Sequence, residues 1–240
     1  MRKIRLSNTC LVLAGAIFFG IVIPVKSQDF SELRKKMVNQ QLAGRDIKSK
    51  EVLGAMRKVE RHLFVPKSIV KSAYADRALP IGEGQTISQP YVVAFMTEAL
   101  NIKPTDKILE IGTGSGYQAA ILAELCKEVY TIEIIRTLGE RADSLLKSLQ
   151  YKNVYVRIGD GYQGWPEAGP FDAIIVTCSP SEVPQPLQDQ LKEGGRMIIP
   201  IGREHSQELV LLVKTNGELK KKNVLPVLFV PMRDEKGKRY

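Results

Sequence analysis

From residue 107 onward the chain alternates short apolar runs with stretches of helical spacing, and this alternation restricts its fold more than any other feature. Runs at 107–111, 129–133, 154–158, 171–177 and 196–199 have strand length, while 117–126, 138–149 and 186–191 between them are predicted as helices. Strands separated by helices cannot pair as hairpins, so they predict a parallel sheet covered by helices on both faces. Two further strands, 209–213 and 224–230, have no long helix between them. They should form an antiparallel, hairpin-like end to the sheet.

Upstream, Phe30, Leu33, Met37, Val38 and Leu42 predict a helix over 30–42, and Val52, Leu53, Met56 and Val59 predict one over 49–59. His62-Leu63-Phe64-Val65-Pro66 and Leu79-Pro80-Ile81-Gly82 should be extended or turn-like, because proline restricts the residue before it. Residues 90–100 read as a helix with Pro90 in its first turn, where the missing N–H costs nothing. Nothing repeats and no internal linker is marked, so residues 28–240 should form a single domain.

The first 27 residues contain Arg2, Lys3, Arg5 and Lys26 and no acid. Setting them aside reduces the formal charge from +9 to 31 basic against 26 acidic residues. That modest excess argues against a nucleic-acid partner, and Lys220-Lys221-Lys222 reads as a solvated face. Residues 6–25 are uncharged and largely apolar, and Pro24-Val25-Lys26-Ser27 follows. Residues 1–27 therefore read as a secretory signal cleaved after Ser27, with an uncleaved membrane anchor as the alternative. Cys126 should end a helix and Cys178 a strand, on opposite sides of the sheet. With ~15 Å of helix between the two and a Cα limit of ~7 Å for a disulfide, two free thiols are expected. No Cys or His spacing suggests a metal.

Between the first strand of the alternation and its helix stands Gly112-Thr113-Gly114-Ser115-Gly116-Tyr117. Such glycines let a ligand approach backbone closely, with the N–H groups of the following helix nearby. The dinucleotide pattern would need glycine at 117, where tyrosine stands. Glu133 ends the second strand 21 residues after Gly112, close to the offset at which an acid reaches ribose hydroxyls. The third strand ends in Gly159-Asp160-Gly161, where Asp160 could accept from an adenine amino group or simply form a turn. A nucleoside-containing ligand follows; its identity does not.

Several longer motifs resemble, in order and spacing, the protein-L-isoaspartate (D-aspartate) O-methyltransferase family. They are Leu79-Pro80-Ile81-Gly82, Gly84-Gln85-Thr86-Ile87-Ser88-Gln89-Pro90-Tyr91, residues 109–118, Gly159-Asp160-Gly161-Tyr162, Gly164-Trp165, Phe171-Asp172-Ala173-Ile174-Ile175-Val176-Thr177 and Phe229-Val230-Pro231-Met232. The resemblance implies a class I, Rossmann-like methyltransferase with a seven-stranded, mostly parallel sheet and an N-terminal helical extension. On that reading 28–100 is the substrate-side segment and 101–240 the cofactor-binding sheet. It implies S-adenosyl-L-methionine as cofactor, and damaged proteins bearing L-isoaspartyl residues as substrates.

By the same resemblance, cofactor contacts map onto Glu110, Gly112, Gly114, Glu133, Asp160 and Gly161. The active-site hydroxyl maps onto Ser88, whose competing role is an N-cap of the following helix. Thr86, Ile87 and Val230 are carried over as substrate-binding residues. Where the family usually has Thr-Ala-Ala-Pro, this chain has Thr177-Cys178-Ser179-Pro180. The acceptor carboxylate has a reference pKa near 4 and needs no general base, so positioning and exclusion of water should supply the rate. Trp165 and Tyr162 either cover the ligand or pack a loop, and His62 and His205 read as structural or surface residues.

A monomer is the preferred assembly, and the membrane enters only through residues 1–27. The family and the cytoplasmic supply of the cofactor point to the cytoplasm, whereas those residues point outward. Three other readings remain. A serine hydrolase would need glycines where Thr113 and Tyr117 flank Ser115. A nucleic-acid amine methyltransferase would need an acid or amide with Pro-Pro-aromatic where Thr177 to Pro180 stand. A non-catalytic S-adenosylmethionine-binding protein would keep the pocket without turnover.

Overall fold

The computed structural model describes residues 29–203 and 206–240, so the expected leader at 1–27 and His205 lie outside the described residues. Helix α1 (Phe30–Lys36) begins at Asp29, whose carboxylate accepts from the amides of Ser31 at 2.9 Å and Glu32 at 3.3 Å. The α-helix expected over 30–42 does not continue. Residues Met37–Ala43 widen into a π-helical turn, whose longer period puts Met37, Val38 and Leu42 all in the core. Helix α2 (Lys50–Lys58) is capped by Ser49, whose hydroxyl accepts from the Val52 amide at 3.2 Å. The 62–66 segment takes the turn-like form, as a 3-10 turn over Arg61–Phe64.

A small ribbon follows, β1 (Leu79–Gly82) paired antiparallel with β2 (Gln85–Ile87). It leads into α3 (Pro90–Ala99). The main body is β3 (Lys107–Ile111), α4 (Tyr117–Ala123), β4 (Glu128–Glu133), α5 (Arg136–Ser148), β5 (Val154–Ile158), β6 (Phe171–Val176), α6 (Gln185–Asp189), β7 (Leu191–Arg203), β8 (Ser206–Thr215) and β9 (Glu218–Val227). These strands form one seven-stranded sheet in the order β5-β4-β3-β6-β7-β8-β9. The first five run parallel, and β8 and β9 are antiparallel, as the missing helix between them required.

Several element ends depart from expectation: β7 already begins at Leu191, inside the expected 186–191 helix, and β9 begins at Glu218, well before 224. Helix α4 stops at Ala123, and the amides of Leu125 and Cys126 both return to the Leu122 carbonyl in a closing turn. Strand β9 stops at Val227, so Phe229 and Val230 are not in the sheet. There the Gln207 side chain replaces the ladder, donating to the Phe229 carbonyl at 3.0 Å and accepting from its amide at 2.7 Å. The chain then crosses toward the end of β6, where Ser179 donates its amide to the Val230 carbonyl at 2.8 Å.

Both faces of the sheet are buried, which is why its central strands are continuous apolar runs. Ile108, Ala173, Ile175 and Ile198 pack under α2, α3 and α4 on one face, in the cluster that also holds Met56, Val93 and Ile121. Leu109, Ile111, Ile174, Val176 and Met197 face the other way, against Leu187 of α6 and Met232. Lys220, Lys221 and Lys222 are exposed on β9, the outermost strand, where charge discourages edge-to-edge pairing. Cys126 and Cys178 are free thiols. Among the described residues no helix is long and apolar enough to cross a membrane.

Candidate functional site

The chain leaves β3 toward β4 and β5 on one side and returns to place β6 on the other, so the strand order reverses between β3 and β6. Loops at the carboxyl ends of β3, β4, β5 and β6 meet at that crevice, the usual ligand position in such sheets. A cavity of about 270 Å³ lies there, walled by Gly112, Gly114, Glu133, Gly161, Thr177 and Cys178 and closed outward by residues 230–235 and Gly237.

Its inner surface is held by short polar contacts. Thr177, the residue after β6, donates its hydroxyl toward the carbonyls of Gly112 at 2.8 Å and Ile111 at 3.0 Å. Gly112 has φ +96°, and a Cβ there would stand 2.4 Å from Thr177 Oγ1, so only glycine fits. Glu133 accepts from the Gly114 amide through Oε2 at 2.8 Å and from the Ile135 amide through Oε1 at 2.9 Å. Burial still raises the pKa of Glu133, against the opposing effect of those amides.

A second space, a groove of about 700 Å³, lies beside the first. Ser88 and Gln89 from the β2 to α3 connection, Tyr91 from the first turn of α3, Arg45, and residues 225–230 line it. Thr86, Thr177 and Val230 border both spaces and form their common wall. The N-cap of α3 is Gln89, so Ser88 does not serve as the cap that sequence offered as its competing role. The Ser88 carbonyl instead accepts from Arg61 at 2.7 Å. Arg45 stacks on the Tyr91 ring, 3.5 Å from its centroid, while pairing with Asp76 at 3.2 Å.

Of the residues singled out from sequence, the fold gathers Gly112, Gly114, Glu133 and Gly161 around the smaller cavity. Thr86 and Val230 stand at the common wall, and Ser88 in the groove. Three others are not on either surface. Ile87 is buried, with 4% of its surface exposed. Asp160 adjoins the cavity wall, but one of its oxygens accepts from the Tyr162 amide at 2.9 Å and the other from the Tyr240 hydroxyl. Glu110 is completely buried opposite Thr131, and neither of its oxygens has a hydrogen-bond partner. Desolvation outweighs the opposing effect of the nearby Thr131 hydroxyl and, with a smaller push from the charge of Glu133, raises its pKa to about 8, so the acid is mostly protonated at neutral pH.

The aromatic and histidine questions resolve by packing. Trp165 meets Tyr130 edge-on at 5.2 Å and lies under Arg157 at 3.9 Å, away from both spaces. Tyr162 stacks on Tyr240 at 4.1 Å. His62 is structural, stacked on Phe30 at 4.2 Å with Nδ1 2.8 Å from the Tyr74 hydroxyl. Ser115 accepts from the Tyr117 amide at 3.3 Å, so the described residues give a hydrolase reading no Ser–His pair.

Sequence reasoning missed Thr177 as a wall of both spaces, Arg45, and the closing segment after Val230. Thr177 carried a signal, since it ends the strand next to the glycine loop. The closing segment was marked only by the Phe229-Val230-Pro231-Met232 motif, and Arg45 by nothing, because its contacts join distant parts of the chain. Cys178 lines the cavity with its thiol pKa pushed up to about 12 by burial. Ser179 ties the end of β6 to the closing segment through its amide and carbonyl, and its hydroxyl donates toward the Gly202 carbonyl at 3.3 Å.

Comparison with known proteins covers the same stretch of the chain. The profile of the family described as protein-L-isoaspartate(D-aspartate) O-methyltransferase matches residues 31–237. A protein-L-isoaspartate O-methyltransferase of Opitutus terrae is 56% identical over 204 residues, covering 85% of this chain and 88% of its own. A solved protein-L-isoaspartate O-methyltransferase superposes with a TM-score of 0.78 at 32% identity, over 85% of this chain and 67% of that one. A Plasmodium falciparum protein described as a protein-L-isoaspartate O-methyltransferase, solved in complex with S-adenosyl-L-homocysteine, gives 0.74 at 27% identity, over 86% and 99%.

Proposed function

Because the chain belongs to the protein-L-isoaspartate (D-aspartate) O-methyltransferase family, we propose that its two adjoining spaces are the donor and acceptor halves of a protein-repair methyltransferase site. The enzyme uses S-adenosyl-L-methionine and esterifies the free α-carboxylate of L-isoaspartyl residues in damaged proteins. The ester then leads through a succinimide toward normal aspartyl. The observation that carries the assignment is the common wall of Thr86, Thr177 and Val230, which sets the acceptor groove directly against the donor cavity.

The residues fit the donor. Gly112 lets Thr177 close against the glycine loop at the cavity wall, and the Glu133 carboxylate, oriented by two amides, suits a pair of ribose hydroxyls. Gly161 supports the adenine side, and Asp160 acts beside it through the loop it caps. When bound, the cofactor supplies an electrophilic methyl on a sulfonium. The chain's own part is to bind, orient and dehydrate. The acceptor carboxylate is ionised at neutral pH, so no side chain needs to remove a proton. Ser88 offers its hydroxyl to hold that carboxylate, while Thr86 and Val230 fix its approach at the wall. Apolar Val227, Phe229 and Val230 exclude water from the groove.

Residues 28–240 act as one methyltransferase unit. The charge and apolar pattern of residues 1–27 supports a cleaved export signal or an anchor. N-terminal sequencing of the mature protein distinguishes the two. The activity itself is tested with labelled S-adenosylmethionine and paired isoaspartyl and aspartyl peptides. Base-labile methylation of the isoaspartyl peptide alone is expected, and equal labelling of both would refute the acceptor assignment.

A further inference from the structure

Arg61 is completely buried in the 3-10 turn after α2. A guanidinium is costly to remove from water, and an apolar side chain of similar volume commonly serves a core better. None of the ion pairs among the described residues involves it. Its charge is spent on two carbonyls instead. Nε donates to Ala73 at 2.8 Å and Nη2 donates to Ser88 at 2.7 Å. The Tyr117 ring faces the guanidinium, with Cζ 4.9 Å from its centroid, and Nη1 has no hydrogen-bond partner. Burial lowers its pKa to about 10, which leaves it charged at neutral pH.

This arrangement touches the acceptor groove at one place, the Ser88 peptide. Ser88 cannot be held as a helix cap would be, because Gln89 takes that position and makes no side-chain capping bond. The peptide is fixed from behind by a rigid, planar, charged fork that also grips Ala73, a residue on a separate segment. Lysine could carry the charge, but it presents a single ammonium and lacks the two-armed geometry.

We propose that Arg61 is the positioning residue of the acceptor groove, setting the Ser88 peptide against Ala73 so that the Ser88 hydroxyl meets the acceptor carboxylate in line with the donor cavity. This rests on the reading of Ser88 as the acceptor-side hydroxyl. It assigns Arg61 no contact with substrate or cofactor. Its effect passes through the Ser88 backbone.

The test is a double-mutant cycle of Arg61→Lys and Ser88→Ala, read as kcat on an isoaspartyl peptide and as cofactor Kd by calorimetry. Misplacement of a reacting group by about 1 Å costs on the order of a hundredfold. Arg61→Lys should therefore lower kcat by roughly ten- to a hundredfold while leaving cofactor Kd unchanged. The double variant should be no slower than Ser88→Ala alone. If Ser88→Ala does not change kcat, the reading of Ser88 fails and this inference with it. If Ser88→Ala is slow but the two losses multiply, Arg61 does not act through Ser88 and this inference alone fails. Should Arg61→Lys lose cofactor binding, Arg61→Gln takes its place, since it retains one donor to one carbonyl. Loss of cofactor binding in both variants would make Arg61 a residue of the fold and overturn the proposal.

Discussion

The Gly114 amide donates to Oε2 of Glu133 across 2.8 Å, so the loop that ends β3 is tied to the carboxylate that ends β4. The second oxygen is tied to the next segment by the Ile135 amide at 2.9 Å. Each oxygen keeps a further lone pair, so the carboxylate is aimed before any ligand arrives. Both donors are backbone groups, and the orientation therefore survives side-chain changes around it.

Glu133→Gln should weaken the cofactor and spare the fold. The glutamine amide has one accepting oxygen, and its NH2 group must face either the Gly114 or the Ile135 N–H. A hydrogen bond to a charged group contributes about 1.5 to 3 kcal/mol, so cofactor Kd should rise by roughly ten- to a hundredfold. Calorimetry with S-adenosylmethionine measures this. An unchanged Kd would remove Glu133 from the donor site.

Ser88→Ala should act on the other half-site. Ser88 borders the groove and not the donor cavity. Turnover on an isoaspartyl peptide should drop at least about tenfold, with cofactor Kd held. A parallel loss of both would place Ser88 in the fold or in the donor site.

Glu110 gives a pH signature. Its carboxyl titrates near 4.5 in the unfolded chain and near 8 in the folded one, so between those values the native state holds the extra proton. This contribution to stability is therefore complete below about pH 4.5 and is lost as pH rises through about 8. Urea unfolding at pH 5 and pH 8 should show a decline for the natural protein and a shallower one for Glu110→Gln. Some slope should remain from Glu133, whose pKa burial also raises. Parallel declines in the two proteins would mean that Glu110 is already ionised at neutral pH.

Much of the architecture was legible because the strands are marked by what they bury. The runs at 107–111 and 171–177 carry buried apolar residues on both faces, and a covered, parallel sheet provides two buried faces. The antiparallel end followed from a missing helix. The π-helical turn at Met37–Ala43 was hidden, since Met37, Val38 and Leu42 fit an α-helical stripe equally well. The early end of β9 was hidden too, because it depends on Gln207, a side chain from another strand.

The site divides in the same way. Gly112, Gly114 and Glu133 were readable because their chemistry is local to a strand end and the offset between strands is nearly fixed. Glu110 stands in the same motif, but its side chain points into the sheet's covered face, and sequence spacing cannot distinguish a carboxylate beneath a loop from one beside a ligand. Asp160 is engaged by Tyr240, and Ser88 by Arg61, across 80 and 27 residues. Contacts of that span leave no trace in spacing.

The central claim is that donor and acceptor meet at the wall of Thr86, Thr177 and Val230. A crystal structure of the protein with S-adenosyl-L-homocysteine and an isoaspartyl peptide tests it most directly. The ribose should lie on Glu133, the sulfur at that wall, and the isoaspartyl carboxylate at Ser88 on its far side. A peptide carboxylate seated elsewhere, or a sulfur turned away from the wall, would contradict it.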